Sequence, residues 1–218
     1  MGLLAPKLYV FGCGGHSKVV TQVAAGQGLK VDGYVVSNAE HKEFLGRPVI
    51  GEDELNCEAH AGSALIAVGD NRGRKTVVER LRRTAAFREY PSLVDVSAHI
   101  APTAELGEGT LVLPGAVINA SARIGAFSIV NSGAIVEHDC VLGDFTMIAP
   151  GAVLCGSCSI GEGAWIGSGA TVIQKRQVGE WSVVGAGAVV VADIRARVVA
   201  FGNPACERRE IGLRETLV

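Results

Sequence analysis

From Val94 to Val190 the chain places Val, Ile or Leu at every sixth residue: Val94, Ile100, Leu106, Val112, Ile118, Ile124, Val130 and onward, 17 positions without an insertion. The fifth residue of each hexad is small in 15 of the 17, as at Ala116, Ala134, Cys140, Ala152, Cys158 and Ala188, with Arg176 and Ile194 the exceptions. A hexapeptide period is the signature of a parallel β-helix, whose coils cannot bury their apolar row alone and must stack. A second period overlies the first: Gly107, Gly125, Gly143, Gly161 and Gly179 are 18 residues apart. Three hexads therefore make one triangular coil, and positions 18 apart stand one above another at a strand spacing of about 4.8 Å. The first and fifth positions point inward, and the third stands at a corner outside the prism. Gly or Asn at the second position, including Asn119 and Asn131, suits corners where φ turns positive. A narrow interior also accounts for an aromatic content of only 5%. Arg176, at an inward small position, implies a local bulge or an outward rotation.

The chain ahead of the repeat follows another pattern. "KLYVFGCGGHSKVVTQVAAGQG" is a short apolar strand, a glycine turn and an amphipathic helix; "VDGYVVS" is a second strand; "SALIAVGDN" is a third, followed by the helix-like "RGRKTVVERLRRTA". Such alternation implies a small Rossmann-like parallel sheet with a crevice at the strand C-termini. The expected division is residues 1–91 for this α/β domain and 92–218 for the β-helix with a C-terminal tail, joined at Tyr90-Pro91-Ser92. Gly12, Gly14, Gly15, His16 and Ser17 follow a strand and open a helix, so backbone N–H groups there can cradle a phosphate; the glycines can equally serve only to let the helix pack closely. A dinucleotide fingerprint would need Gly in place of Ser17 and an acid closing the second strand, which ends on Ser37-Asn38. Nicotinamide binding is not expected.

Composition excludes other classes. With 48% hydrophobic and 19% charged residues the chain is globular. A net charge of −2 and the lack of basic runs beyond Arg82-Arg83 and Arg208-Arg209 speak against nucleic acid. The N-terminus lacks a basic region and a cleavage site, and no continuous apolar segment spans a bilayer, so no membrane insertion and a cytoplasmic location are expected. Pro6 stands at the Ser/Thr position of a myristoylation signal. Cys155-x-x-Cys158 has the spacing of half a zinc site or a redox motif, but Cys140 and Cys158 fall on the inward small row, one coil apart, as apolar filler. No metal is expected.

Within "VNSGAIVEHDCVLGDF", residues 130–145, His138 is the third residue of its hexad, between Glu137 and Asp139. The same position is Ala120 one coil earlier and Gly156 one coil later. His138 is therefore either a solvated corner histidine or a group facing a ligand: its acidic neighbours favour imidazolium or fix one tautomer, and Gly156 leaves an open shelf beside the ring.

Together, "VFGCGGHSKVV", "IAVGDNRGR", "NSGAIVEHDCVLGDF" and the closing "GNPA" at 202–205 resemble a family over essentially the whole length. It is that of the bacterial acetyl-CoA-dependent sugar acetyltransferases that join a small Rossmann-like domain to a left-handed β-helix. The family includes nucleotide-amino-sugar N-acetyltransferases and sialic acid O-acetyltransferase relatives. The resemblance implies His138 as general base, with Asp139 adjusting its basicity and orientation. It matches Asn131 to the family's active-site asparagine and Gly156 to the glycine whose backbone N–H faces the thioester oxygen. Gly12, Gly14, Gly15, His16 and Ser37 match the region that meets the sugar nucleotide. Ser168, Ala186 and Pro204 match positions along the acetyl-CoA groove. It further implies a homotrimer with sites between subunits, acetyl-CoA as cosubstrate, and a UDP- or GDP-linked amino-deoxy sugar used in glycan or lipopolysaccharide synthesis. Met147 stands where relatives often carry a histidine near the thioester, and Ser37-Asn38 replace an acidic pair used around the nucleoside. The competing expectations are O-acetylation of a sialic-acid-like sugar and a non-catalytic binding module. A zinc carbonic anhydrase on the same kind of helix needs three histidines, and the hexad region has two, His99 and His138.

Overall fold

A computed structural model describes residues 7–55, 62–83, 87–212 and 215. The N-terminal sheet contains β1 (Lys7–Phe11), β2 (Gly33–Val36), β3 (Glu43–Phe44), β4 (Arg47–Gly51), β5 (Gly62–Ile66) and β6 (Phe87–Glu89), in the order β3-β4-β2-β1-β5-β6. All neighbours run parallel except the β3–β4 hairpin. Residues along β1 alternate between two apolar clusters, as a strand's period of two requires. Leu8 and Val10 meet Val20, Val23 and Ala24 of α1 (Gly15–Gly26), while Tyr9 and Phe11 meet Val78 and Leu81 of α2 (Asn71–Arg82).

The repeat winds into a parallel β-helix with three faces. The first carries strands Leu93–Val94, Leu111–Val112, Ile129–Val130, Met147–Ile148, Trp165–Ile166 and Val183–Val184, closed by Val198–Gly202 and the antiparallel Ala205–Glu210. The second runs from His99–Ile100 to Val189–Val190 and the third from Glu105–Leu106 to Gln177–Val178. Up to the last coil the register is 18 residues along every face, for example Val112↔Val130, Val136↔Leu154 and Leu142↔Ile160. The interior is the aliphatic row interleaved with the small row, Ala116, Ala134, Cys140, Ala152, Cys158 and Ala188 among them.

Both irregular positions keep the strands in register. Arg176 makes no bulge: its guanidinium leaves the interior and pairs with Asp193 at 3.4 Å, while Gln177 and Val178 stack on Ser159 and Ile160 as elsewhere. Ile194 is not in a small position at all. The last coil is two residues shorter, so Val178 pairs with Ile194 and Val183 with Val199, and Ile194 fills the aliphatic slot, buried.

The first face carries the N-terminal sheet. Leu93, Leu111, Leu113, Ile129, Met147 and Ala149 share one cluster with α1, and Phe127 and Phe145 share another with α2. Arg74 of α2 locks the two parts. Only 1% exposed, it gives Nε to Phe127 O (2.8 Å), Nη1 to Val68 O and Gly69 O (2.9 and 2.8 Å), and Nη2 to Asn71 Oδ1, Phe145 O and Thr146 O (2.7, 3.0 and 3.2 Å). Burial lowers its pKa to about 9, opposed by Asp70, so at neutral pH the guanidinium stays charged. Asn71 Nδ2 adds bonds to Gly163 O and Ala164 O.

Candidate active site

His138 follows the second-face strand Ile135–Val136 and stands exposed at the corner between the second and third faces. Its Nδ1 lies 2.8 Å from Asp139 Oδ2. Asp139 stands in the left-handed region at φ 60°, as do Ser121 and Ser157 at the same position one coil away on either side, and its N donates to Ala120 O. The hydrogen bond to Asp139 raises the His138 pKa above its ordinary 6.5; desolvation opposes it, and the charges of Asp139 and Glu137 add to the rise. With Nδ1–H donating to the carboxylate, the neutral ring carries its lone pair on Nε2. This edge faces Gly156: a Cβ there would come within 2.6 Å of both Cε1 and Nε2. The shelf beside the ring therefore exists only because residue 156 is glycine.

Asn131 lies elsewhere on the same coil. It ends the first-face strand Ile129–Val130, at the corner between the first and second faces, so the strand Ile135–Val136 separates it from His138. Its Oδ1 accepts from Ser132 N (2.8 Å), and its Nδ2 contacts Met147 Sδ at 3.8 Å. Met147 itself is 3% exposed, part of the cluster that joins α1 to the first face. Ser168 and Ala186 are exposed at the Asn131 corner, on consecutive coils joined by Gly187 N→Ser168 O (2.9 Å). Pro204, also exposed, turns the hairpin Val198–Gly202/Ala205–Glu210 that caps this edge. That hairpin sets the Arg208 guanidinium 5.2 Å from the Phe201 ring centroid, a cation and an aromatic that the sequence pattern gave no cause to select.

The glycine turn divides by role. Gly12, at φ 117°, is required by packing, since a Cβ would meet Ala67 O at 2.9 Å. Gly14 and Gly15 have nothing near a Cβ, so close packing does not explain them. Gly14 caps α1 without a side-chain bond, so no capping side chain occupies the first-turn N–H groups. His16 Nε2 is buried without a protein partner, and burial, then the Arg74 cation, hold its pKa down at about 4. Beside this turn, Cys13, Val36, Asn38, Glu40, His41, Glu43, Phe44 and Val49 line a cavity of about 450 Å³. Ser37 lies outside that lining and donates to Glu52 Oε1 (3.1 Å), which also binds Arg80 (2.6 Å). Glu40, His41 and Glu43 went unmarked in the sequence; their position just past the C-terminus of the second strand was the available signal. Among the described residues no group of three or more His, Cys, Asp or Glu could hold a metal ion, and no helix is long and apolar enough to cross a membrane.

Comparison with known proteins agrees with this layout. Residues 7–81 match the PglD N-terminal domain, and 157–192 match the bacterial transferase hexapeptide repeat. A comparison with curated proteins finds no match. Among solved structures, PerB from Caulobacter crescentus, in complex with CoA and GDP-perosamine, is 36% identical, with a TM-score of 0.88 over 96% of this chain and 100% of that one. Variants of that perosamine N-acetyltransferase with one histidine changed to Asn or Ala have also been solved with both ligands. The acetyltransferase domain of PglB from Neisseria gonorrhoeae, in complex with acetyl coenzyme A, is 37% identical, with a TM-score of 0.84 over 94% of this chain and 100% of that one. WeeI from Acinetobacter baumannii is 28% identical, with a TM-score of 0.83 over 93% and 99%. An identity above 30% over the full length of such relatives, on the same two-part fold, settles the lineage: the chain belongs to the hexapeptide-repeat, acetyl-CoA-dependent sugar acetyltransferases.

Proposed function

We propose that the protein transfers acetyl from acetyl-CoA to the amine of a nucleotide-linked amino-deoxy sugar, UDP or GDP, with His138 as general base. The observation that carries this is the pairing at one corner of an Asp139-oriented imidazole with a glycine whose backbone it overhangs. The sugar amine attacks the thioester carbonyl as its proton passes to Nε2 of His138; the C–N bond forms, the C–S bond breaks and the CoA sulfur leaves with a proton. The Gly156 N–H stabilises the oxyanion, and a rigid coil presents it without reorganisation. His16, the open Gly14-Gly15 turn with Gly12, and Ser37 beside the 450 Å³ cavity hold the nucleotide. Ser168, Ala186 and Pro204 line the groove for acetyl-CoA.

We place the working site between subunits of a homotrimer. The outward side chains of the second face, Val117, Ile135, Val153, Thr171 and Val189, form a half-buried and largely apolar ladder. His138 and Gly156 border this face on one side; Asn131, Ser168 and Ala186 border it on the other. Packing second faces about a three-fold axis brings one subunit's His138 corner against its neighbour's Asn131 corner. The described cysteines are all unpaired, as in the reducing cytoplasm.

A free-thiol assay over UDP- and GDP-amino sugars and free sialic acids tests the reaction. Turnover with a nucleotide amino sugar is expected, with His138→Ala losing about 10²-fold or more. Turnover on sialic acids alone would assign the O-acetyl reaction instead.

A further inference from the structure

We infer that Cys140 is a positioning residue for acetyl transfer: from inside the β-helix its thiol fixes the Cys155–Gly156 peptide with the carbonyl inward and the N–H outward, beside Nε2 of His138. This rests on the function proposed above and adds the device that aims the oxyanion donor.

Cys140 is the fifth residue of the hexad that contains His138, and its side chain is fully buried. Its Sγ donates to Cys155 O at 3.2 Å. The peptide between Cys155 and Gly156 is trans and planar, so its C=O and N–H point in opposite directions. A carbonyl drawn into the prism therefore sends the Gly156 N–H out at the corner, on the shelf where no Cβ can stand beneath the His138 ring. The other side of the glycine is tied as well, since Gly156 O accepts from Lys175 N at 3.0 Å.

The contact recurs in this interior. Ser128 Oγ and Cys158 Sγ, at the same fifth position, reach the second-position carbonyl 15 residues on, Gly143 O (3.1 Å) and Ile173 O (3.2 Å); Thr110 Oγ1 lies 3.3 Å from Gly125 O but closer to Gly107 O (2.7 Å), and Thr146 Oγ1 turns to Ser128 Oγ (2.9 Å). Where the row holds alanine, the carbonyl is closed by its own turn instead, as in Ala134 N→Asn131 O, Ala152 N→Ala149 O and Ala170 N→Gly167 O. A single S–H···O bond is weak, but a recurring geometry gives it a defined direction. The neighbouring Cys158 thiol, then burial, push the Cys140 pKa up, so it remains a thiol with its proton free for Cys155 O.

The test compares Cys140→Ala, Cys140→Ser and Cys158→Ala in the intact protein, reading kcat, KM for acetyl-CoA, the pH–rate profile and melting temperature. Cys140→Ala is expected to lower kcat about threefold to fivefold, with KM and the acid limb of the profile unmoved, because His138 and Asp139 are untouched. Cys140→Ser, whose hydroxyl can reach the same carbonyl, recovers most of kcat. Cys158→Ala opens the same kind of space one coil away and melts lower to a similar degree, yet keeps kcat. Wild-type kcat in Cys140→Ala, equal losses in the Ala and Ser variants, or an equal loss in Cys158→Ala would each overturn the inference while leaving the acetyl-transfer reading intact. A wild-type protein that acetylates no amino-sugar nucleotide would overturn both.

Discussion

The Nε2 edge of His138 lies over the Cα of Gly156 so closely that a methyl group there would come within 2.6 Å of it. Gly156 is not in the left-handed region, so alanine adds no backbone strain, and the exposed ring is free to swing away from the clash. Gly156→Ala should therefore fold and melt like the parent while kcat falls about 10²-fold, the scale expected for displacing a reacting group by about an ångström. Circular dichroism melting and steady-state kinetics on one preparation check it; parallel losses of fold and rate would mean that the glycine serves the coil rather than the reaction.

Asp139 raises the pKa of His138, and the base must be unprotonated to act, so the rate rises with pH through that raised value. Asp139→Asn removes the charge and weakens the acceptor while preserving the side chain's size. The acid limb of the kcat profile should move to lower pH and the plateau should fall, because a less basic and less firmly held ring accepts the amine proton poorly. An acid limb that stays in place would assign it to a group other than His138.

The hexad period made the fold legible because every coil repeats one steric demand: an aliphatic residue facing in, a small one beside it, and a corner that tolerates positive φ. It failed where the demand changed. The last coil drops two residues, and counting in sixes puts Ile194 in a small slot when it occupies the aliphatic one. The site was legible as separate residues. Asn131 and His138 are close in sequence yet stand at different corners, a relation set by the winding of the coil rather than by spacing alone. Arg74 was not legible at all. It sits in "RGRKTVVERLRR", which reads as a solvated helix, and the oxygens that make its burial tolerable come from Phe127, Phe145 and Thr146, 53 to 72 residues away.

That burial gives a stability prediction. Arg74 satisfies carbonyls of both the α/β part and the β-helix through a planar fork, which an ammonium cannot reproduce even though it keeps the charge. Arg74→Lys should cost about 2–4 kcal/mol in urea denaturation, from carbonyls left unpaired in the interior. A cost below about 1 kcal/mol would mean that the apolar clusters around α1 and α2 hold the two parts without it.

His16 makes stability depend on pH in a defined direction. Its folded pKa, held at about 4 by burial and by Arg74, lies below its ordinary value of 6.5. Between these two values the unfolded chain binds a proton that the folded protein refuses, so the stability present above pH 6.5 is lost as pH falls toward 4. The difference amounts to about 2–3 kcal/mol across that interval. His16→Gln cannot titrate, so its urea-denaturation free energy should fall less steeply than the parent's from pH 6.5 to 4.5, the two curves separating by that amount. Parallel curves would show that the folded protein accepts the proton, and that His16 reaches solvent more freely than its buried, unpartnered Nε2 indicates.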